Sequence, residues 1–121
     1  MDLSLIHDRL ANAMLLFSII AGLWGFVGGL RRQSMSGNYW GIIAVAELLY
    51  LAQGLVGVIL WLGGDRPARS VHILYGVVAV LSIPAFYFTS KGRDDQRTVW
   101  IYSLLFFFLA AITLRAMTTA V

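Results

Sequence analysis

The stretch LANAMLLFSIIAGLWGFVGGL, residues 10–30, contains no charged side chain. A bilayer hydrocarbon core of about 30 Å takes roughly 20 helical residues to cross, so this run alone reaches from one face to the other. Lipid offers the backbone no hydrogen-bond partners, and a spanning run must therefore be a helix. Three further runs share the pattern: residues 39–62, interrupted only by Glu47 and Gln53, then 71–89, then 99–114 continuing to Met117. The runs predict helices over about 8–30, 38–63, 70–90 and 97–118. The first run is too long for a signal-peptide core and is read as a retained helix.

Composition agrees. Of 121 residues, 60% are hydrophobic and 12% charged, where a soluble domain is about a quarter charged. A soluble fold this small cannot hide so much apolar surface, so lipid must cover it. The connections, residues 31–38, 63–70 and 90–98, are short and polar, which makes sequential helices antiparallel neighbours. The expected fold is an all-α integral membrane protein: one domain of four transmembrane helices in an up-down-up-down bundle.

This topology sorts the charges. Arg9, Arg66, Arg69 and Arg115 share the side of the termini, here side A. Arg31, Arg32, Lys91, Arg93 and Arg97 lie on side B. Five against four makes side B cytoplasmic by the positive-inside rule, with both termini outside; the expected setting is a prokaryotic inner membrane. Tyr39, Trp40 and Trp100 supply an interfacial belt at B, and Trp61 an anchor at A. The net charge of +3 is spread over helix ends and forms no basic patch with interleaved aromatics, so no nucleic-acid partner is expected. The absence of cysteine excludes thiolate metal sites and iron–sulfur clusters.

Two histidines carry the chemistry. His7 and His72 open the first and third helices, which run in the same direction, so both enter from side A at similar depth. Small residues follow each on its own face: Ala11, Ser18, Gly22, Gly25 and Gly29 after His7, and Gly76 and Ala79 after His72. Small residues let a helix or a flat cofactor approach closely. Two imidazoles at one depth are suited to hold a haem iron from both sides, and Arg9, Arg66, Arg69 and Arg115 stand at the level where propionates would need guanidinium partners. Ile6-His7 and Val71-His72 lie 65 residues apart; a repeat of two parallel hairpins would set the histidines facing each other across the bundle.

On Ile6-His7-x-x-Leu10-Ala11 and Val71-His72-Ile73-x-x-Gly76 the chain resembles the four-helix membrane b-type cytochromes, among them cytochrome b561-like proteins and the half-bundles of haem A synthase. The resemblance covers those two short segments. It implies axial roles for His7 and His72. Two histidines allow at most one bis-histidine haem b, where a di-haem member needs four. A histidine would equally ligate the magnesium of a chlorophyll-type pigment. The competing reading is that each histidine sits at the interface with its polar ring in reach of water and headgroups.

Glu47 is the one acid deep in a span, and an intramembrane carboxylate is a functional candidate by default. It would relay protons or bond a quinone oxygen; alternatively it bonds a neighbouring helix. Gln53 points to another face, as a helix–helix bond would require. Pro84 removes a backbone donor and should kink the third helix. Ser18, Gly22, Gly25 and Gly29 form a close-packing stripe whose partner lies within the chain or in another subunit. Phe106, Phe107 and Phe108 cover all faces of the fourth helix, so some of that bulk must face lipid or protein.

No nucleophile–base set, phosphate-binding loop or dinucleotide fingerprint is present, so no hydrolytic or transferase activity is indicated. Three functions remain. The first is electron transfer, as a small cytochrome or a subunit of a respiratory or photosynthetic redox complex. The second is an accessory subunit that holds lipid, quinone or pigment, packed against other membrane subunits or a second copy of itself. The third is a proton-coupled transporter using Glu47, although four-helix multidrug transporters carry their glutamate in the first helix.

Overall fold

The computed structural model describes residues 2–119 and is helical apart from three short connections. The helices are α1 (Leu3–Leu30), α2 (Gly37–Leu62), α3 (Val71–Thr89) and α4 (Gln96–Thr119). All four are long and apolar enough to cross a membrane.

Local chemistry sets the ends. α1 starts at Leu3, earlier than hydropathy alone predicts, because the Asp2 carboxylate accepts from the amides of Ser4 at 3.0 Å and Leu5 at 3.4 Å. A side chain that satisfies first-turn amides lets a helix begin in polar sequence. Ser36 caps α2 by accepting from Tyr39 N–H. α1, α2 and α3 all finish with the same paired closure, as in Gln33 N–H to Gly28 O and Arg32 N–H to Gly29 O. This closure needs a left-handed residue just past the helix. Gly64 meets the need at φ +101°, whereas Arg32 and Lys91 are forced to +56° and +55°.

The helices form a closed ring in which α1 touches α2 and α4, and α3 touches α2 and α4. Accordingly α1 and α3 are diagonal, as are α2 and α4. Main-chain bonds tie the loops by side: Met35 N–H donates to Asp94 O at 2.8 Å on side B, and Arg69 N–H to Thr119 O at 3.2 Å on side A. This is the up-down-up-down bundle.

The strongest seam joins α1 to α4, with Tyr39 of α2 laid across it. A Cβ at Gly22 would stand 2.9 Å from the Phe107 ring, and one at Gly29 would overlap the Trp100 ring. One at Gly25 would come within 2.9 Å of Tyr39 Cζ and 3.0 Å of Ser103 Cβ. Between helices in lipid, tight van der Waals contact and polar bonds replace the hydrophobic effect as the adhesive. Both are present: Ser103 Oγ donates to Gly22 O at 2.7 Å, and Tyr39 Oη to Ala21 O at 3.1 Å. The partner of the small-residue stripe therefore lies inside the chain.

The phenylalanine triplet divides its work. Phe106 is fully buried, while Phe107 and Phe108 are exposed. α3 is the least embedded helix, burying only Ala79 and Ile83. It runs through Pro84 without interruption in its helical assignment.

Candidate functional site

The two histidines meet on the bundle's diagonal. His7 is five residues into α1 and His72 is the second residue of α3, yet their ring centroids are 6.3 Å apart with planes at 67°. The staggered helix starts compensate, so the rings share a level near side A.

Each ring is held differently. His72 Nδ1 is 2.8 Å from the carbonyl oxygen of Ala116 and 3.3 Å from Thr119 Oγ1, both on α4. A carbonyl only accepts, so Nδ1 carries a proton, and of the two neutral tautomers the contact selects the one with its lone pair on Nε2. A histidine whose Nδ1–H is fixed by a carbonyl is the arrangement that orients a metal-binding Nε2. His7 packs against α2, its Cε1 being 3.3 Å from where a Gly57 Cβ would lie. Its Nδ1 is buried without a partner. Gln53 Nε2 donates to His7 O at 2.8 Å, linking α2 to α1, while Gln53 Oε1 is also buried and unpartnered.

Fit to an axially ligated metal can be tested on distance. Imidazole nitrogens bind transition metals at about 2 Å and lie about 1.2 Å from their ring centre, so two imidazoles flanking one ion have centroids about 6 Å apart. The observed centroid separation is 6.3 Å. A bare edge-to-face pair also falls in that range, so the surroundings must decide. Gly76, one turn below His72 on the stripe of buried Ala79 and Ile83, is exposed and has nothing within 4 Å of a Cβ position. Gly76 therefore borders the outer, lipid-facing surface of α3.

Beneath His7 the outcome differs from the sequence expectation of an empty face. Gly22, Gly25 and Gly29 are filled by side chains of α4 and α2, because a glycine stripe in lipid draws in the nearest helix. They are packing residues and offer a cofactor no face.

The arginines of side A, Arg9, Arg66, Arg69 and Arg115, are all exposed. Arg66 stacks on Trp61 with its guanidinium carbon 4.3 Å from the ring centroid. Arg115 Nη1 reaches Thr118 Oγ1 at 3.5 Å. No side-chain hydrogen bond or stacking contact joins any of the four to either histidine among the described residues; His72 meets Arg69 through the main chain, its N–H donating to Arg69 O at 3.1 Å. They are available to anionic groups at the membrane surface.

A second polar cluster lies at mid-membrane, and its members other than Glu47 and Ser18 carry no conspicuous signal in the sequence. Tyr50 Oη is 2.6 Å from Ser18 Oγ and 3.2 Å from Thr113 Oγ1, joining three helices through fully or almost fully buried hydroxyls. Glu47 lies one turn from Tyr50 on the α2 stripe that continues to Gly54 and Gly57. A Cβ on that Gly54 would meet Val80 of α3. Glu47 Oε1 is buried without a partner. Among the described residues no three His, Cys, Asp or Glu side chains gather as a metal site.

No protein-family model, curated protein or solved structure matches the chain.

Proposed function

We propose that the chain is an integral-membrane electron-transfer protein, alone or as a subunit of a redox complex, that holds one b-type haem between His7 and His72. The observation that carries the reading is the hold of Ala116 O on the Nδ1–H of His72, which leaves the ring's lone pair on Nε2 beside a second imidazole 6.3 Å away on the diagonal helix. Haem iron would supply the one-electron step. The protein's share is to present Nε2 of each histidine, to offer carboxylate partners in Arg9, Arg66, Arg69 and Arg115, and to keep bulk water out. Glu47 is the candidate proton or quinone group in this scheme. Side B, with the larger share of arginine and lysine, faces the cytoplasm.

The test is a visible spectrum of the detergent-purified protein, supplemented with haemin, oxidised and then reduced with dithionite. Sharp α and β bands on reduction are expected, lost in both His7→Ala and His72→Ala. A protein that stays folded and takes up no haem would overturn the reading and leave the accessory-subunit function. A chlorophyll-type spectrum would replace the iron with magnesium.

A further inference from the structure

The histidines lie near side A, but a broad cleft lies at the other end. A cleft of about 940 Å³ runs along the side-B half of α1 and under the 31–36 loop. Its floor is Ile20, Leu23, Trp24 and Val27, all exposed, and Arg31 and Arg32 stand at its lip. No acidic residue lines it. Of the two acids just ahead of α4, Asp94 meets the lining residue Met35 through its main-chain oxygen at 2.8 Å, and Asp95 is occupied, accepting from Thr98 N–H at 3.0 Å and Thr98 Oγ1 at 2.6 Å.

We propose that this cleft binds one anionic phospholipid of the side-B leaflet. Depth argues for a lipid. From Ile20 to Arg31 is about 16 Å along a helix at 1.5 Å per residue, and one leaflet of a hydrocarbon core of about 30 Å is about 15 Å. The apolar floor thus runs one leaflet down from a cationic lip, matching an acyl chain below a headgroup.

Charge argues for an anionic headgroup. Two guanidiniums without a carboxylate among the lining residues are matched by phosphate, which arginine binds through two parallel hydrogen bonds.

Native mass spectrometry of the protein in detergent, titrated with phosphatidylglycerol or phosphatidylcholine, tests the site. Wild type should retain one phosphatidylglycerol in preference to phosphatidylcholine. Each juxtamembrane cation is worth about fivefold in affinity for an anionic surface; Arg31→Gln with Arg32→Gln should therefore reduce the preference by about tenfold or more. The control pair Lys91→Gln with Arg93→Gln removes as much charge from side B but none from this cleft, and should leave the preference within about twofold of wild type. Equal loss from both pairs would assign the effect to general surface charge and overturn the site. Absence of any preference in wild type would overturn it too. Circular dichroism on each variant separates lost binding from lost folding.

Discussion

The phenol of Tyr39 lies across Gly25. Its Oη donates to Ala21 O at 3.1 Å, and its Cζ would be 2.9 Å from a Cβ on Gly25. The contact locks α2 to α1 where α1 is also closest to Ser103 of α4, so three helices depend on one missing methyl group. Gly25→Ala should therefore destabilise the bundle by about 1–3 kcal/mol, the usual range for overpacking. Gly41→Ala, on an open face of α2 with nothing within 4 Å, should be neutral or mildly stabilising. Unfolding titrations in mixed micelles would measure both. Equal effects would mean the seam is looser than its geometry.

The hydroxyl network at mid-membrane makes a second prediction. Tyr50 Oη bonds to both Ser18 and Thr113. Hydrogen bonds between membrane helices contribute on average about 0.6 kcal/mol and at most about 1.7, so Tyr50→Phe should cost about 1–2 kcal/mol. Adding Ser18→Ala should cost less than the sum of the single changes, because one bond is shared. Full additivity in a double-mutant cycle would argue that the 2.6 Å contact is energetically idle.

The residues that were legible in the sequence are those whose signal is linear. Residues 10–30 announce a membrane span because absence of charge over that length has one physical solution. The Ser18 to Gly29 stripe announces close packing because helical periodicity is local. Its partner was not legible: Phe107, Trp100 and Tyr39 are meaningful only once the ring of helices is closed. The early start of α1 rests on a single carboxylate, Asp2, whose effect hydropathy does not register. Matched depth of His7 and His72 followed from parallel helices, whereas the grip of Ala116 O on Nδ1 involves a backbone atom that no sequence pattern marks. Tyr50 reads as one more apolar aromatic until Ser18 and Thr113 converge on it.

Arg31 and Arg32 are neighbours of like charge with opposite conformational needs. Arg31 has φ −84°, and Arg32 has φ +56°. Glycine costs about 0.5–1 kcal/mol in a helical position but relieves a left-handed one. Arg31→Gly should thus destabilise the protein by about that amount, and Arg32→Gly should be neutral or stabilise it by up to about 1 kcal/mol. Each variant loses one positive charge, so their difference reports backbone strain alone. A melt comparison in one detergent decides it, and equal shifts would remove the strain argument at Arg32.

Acid sensitivity should trace in part to Asp95. Hydrogen bonds from the Thr98 hydroxyl and the Thr98 amide hold its carboxyl below the ordinary value of 3.8, assisted by Arg93 and Arg97. A depressed folded-state pKa means the unfolded chain takes up the proton first as pH falls. The stabilisation is then fully present above the unfolded value and is lost as pH drops through the folded one. Asp95→Asn keeps a residue that caps helices well but removes the titration. Between about pH 5 and about pH 3 the variant's unfolding midpoint should fall less steeply than that of wild type. Parallel curves would show that other carboxylates carry the acid limb and that the Thr98 bonds do not couple to folding.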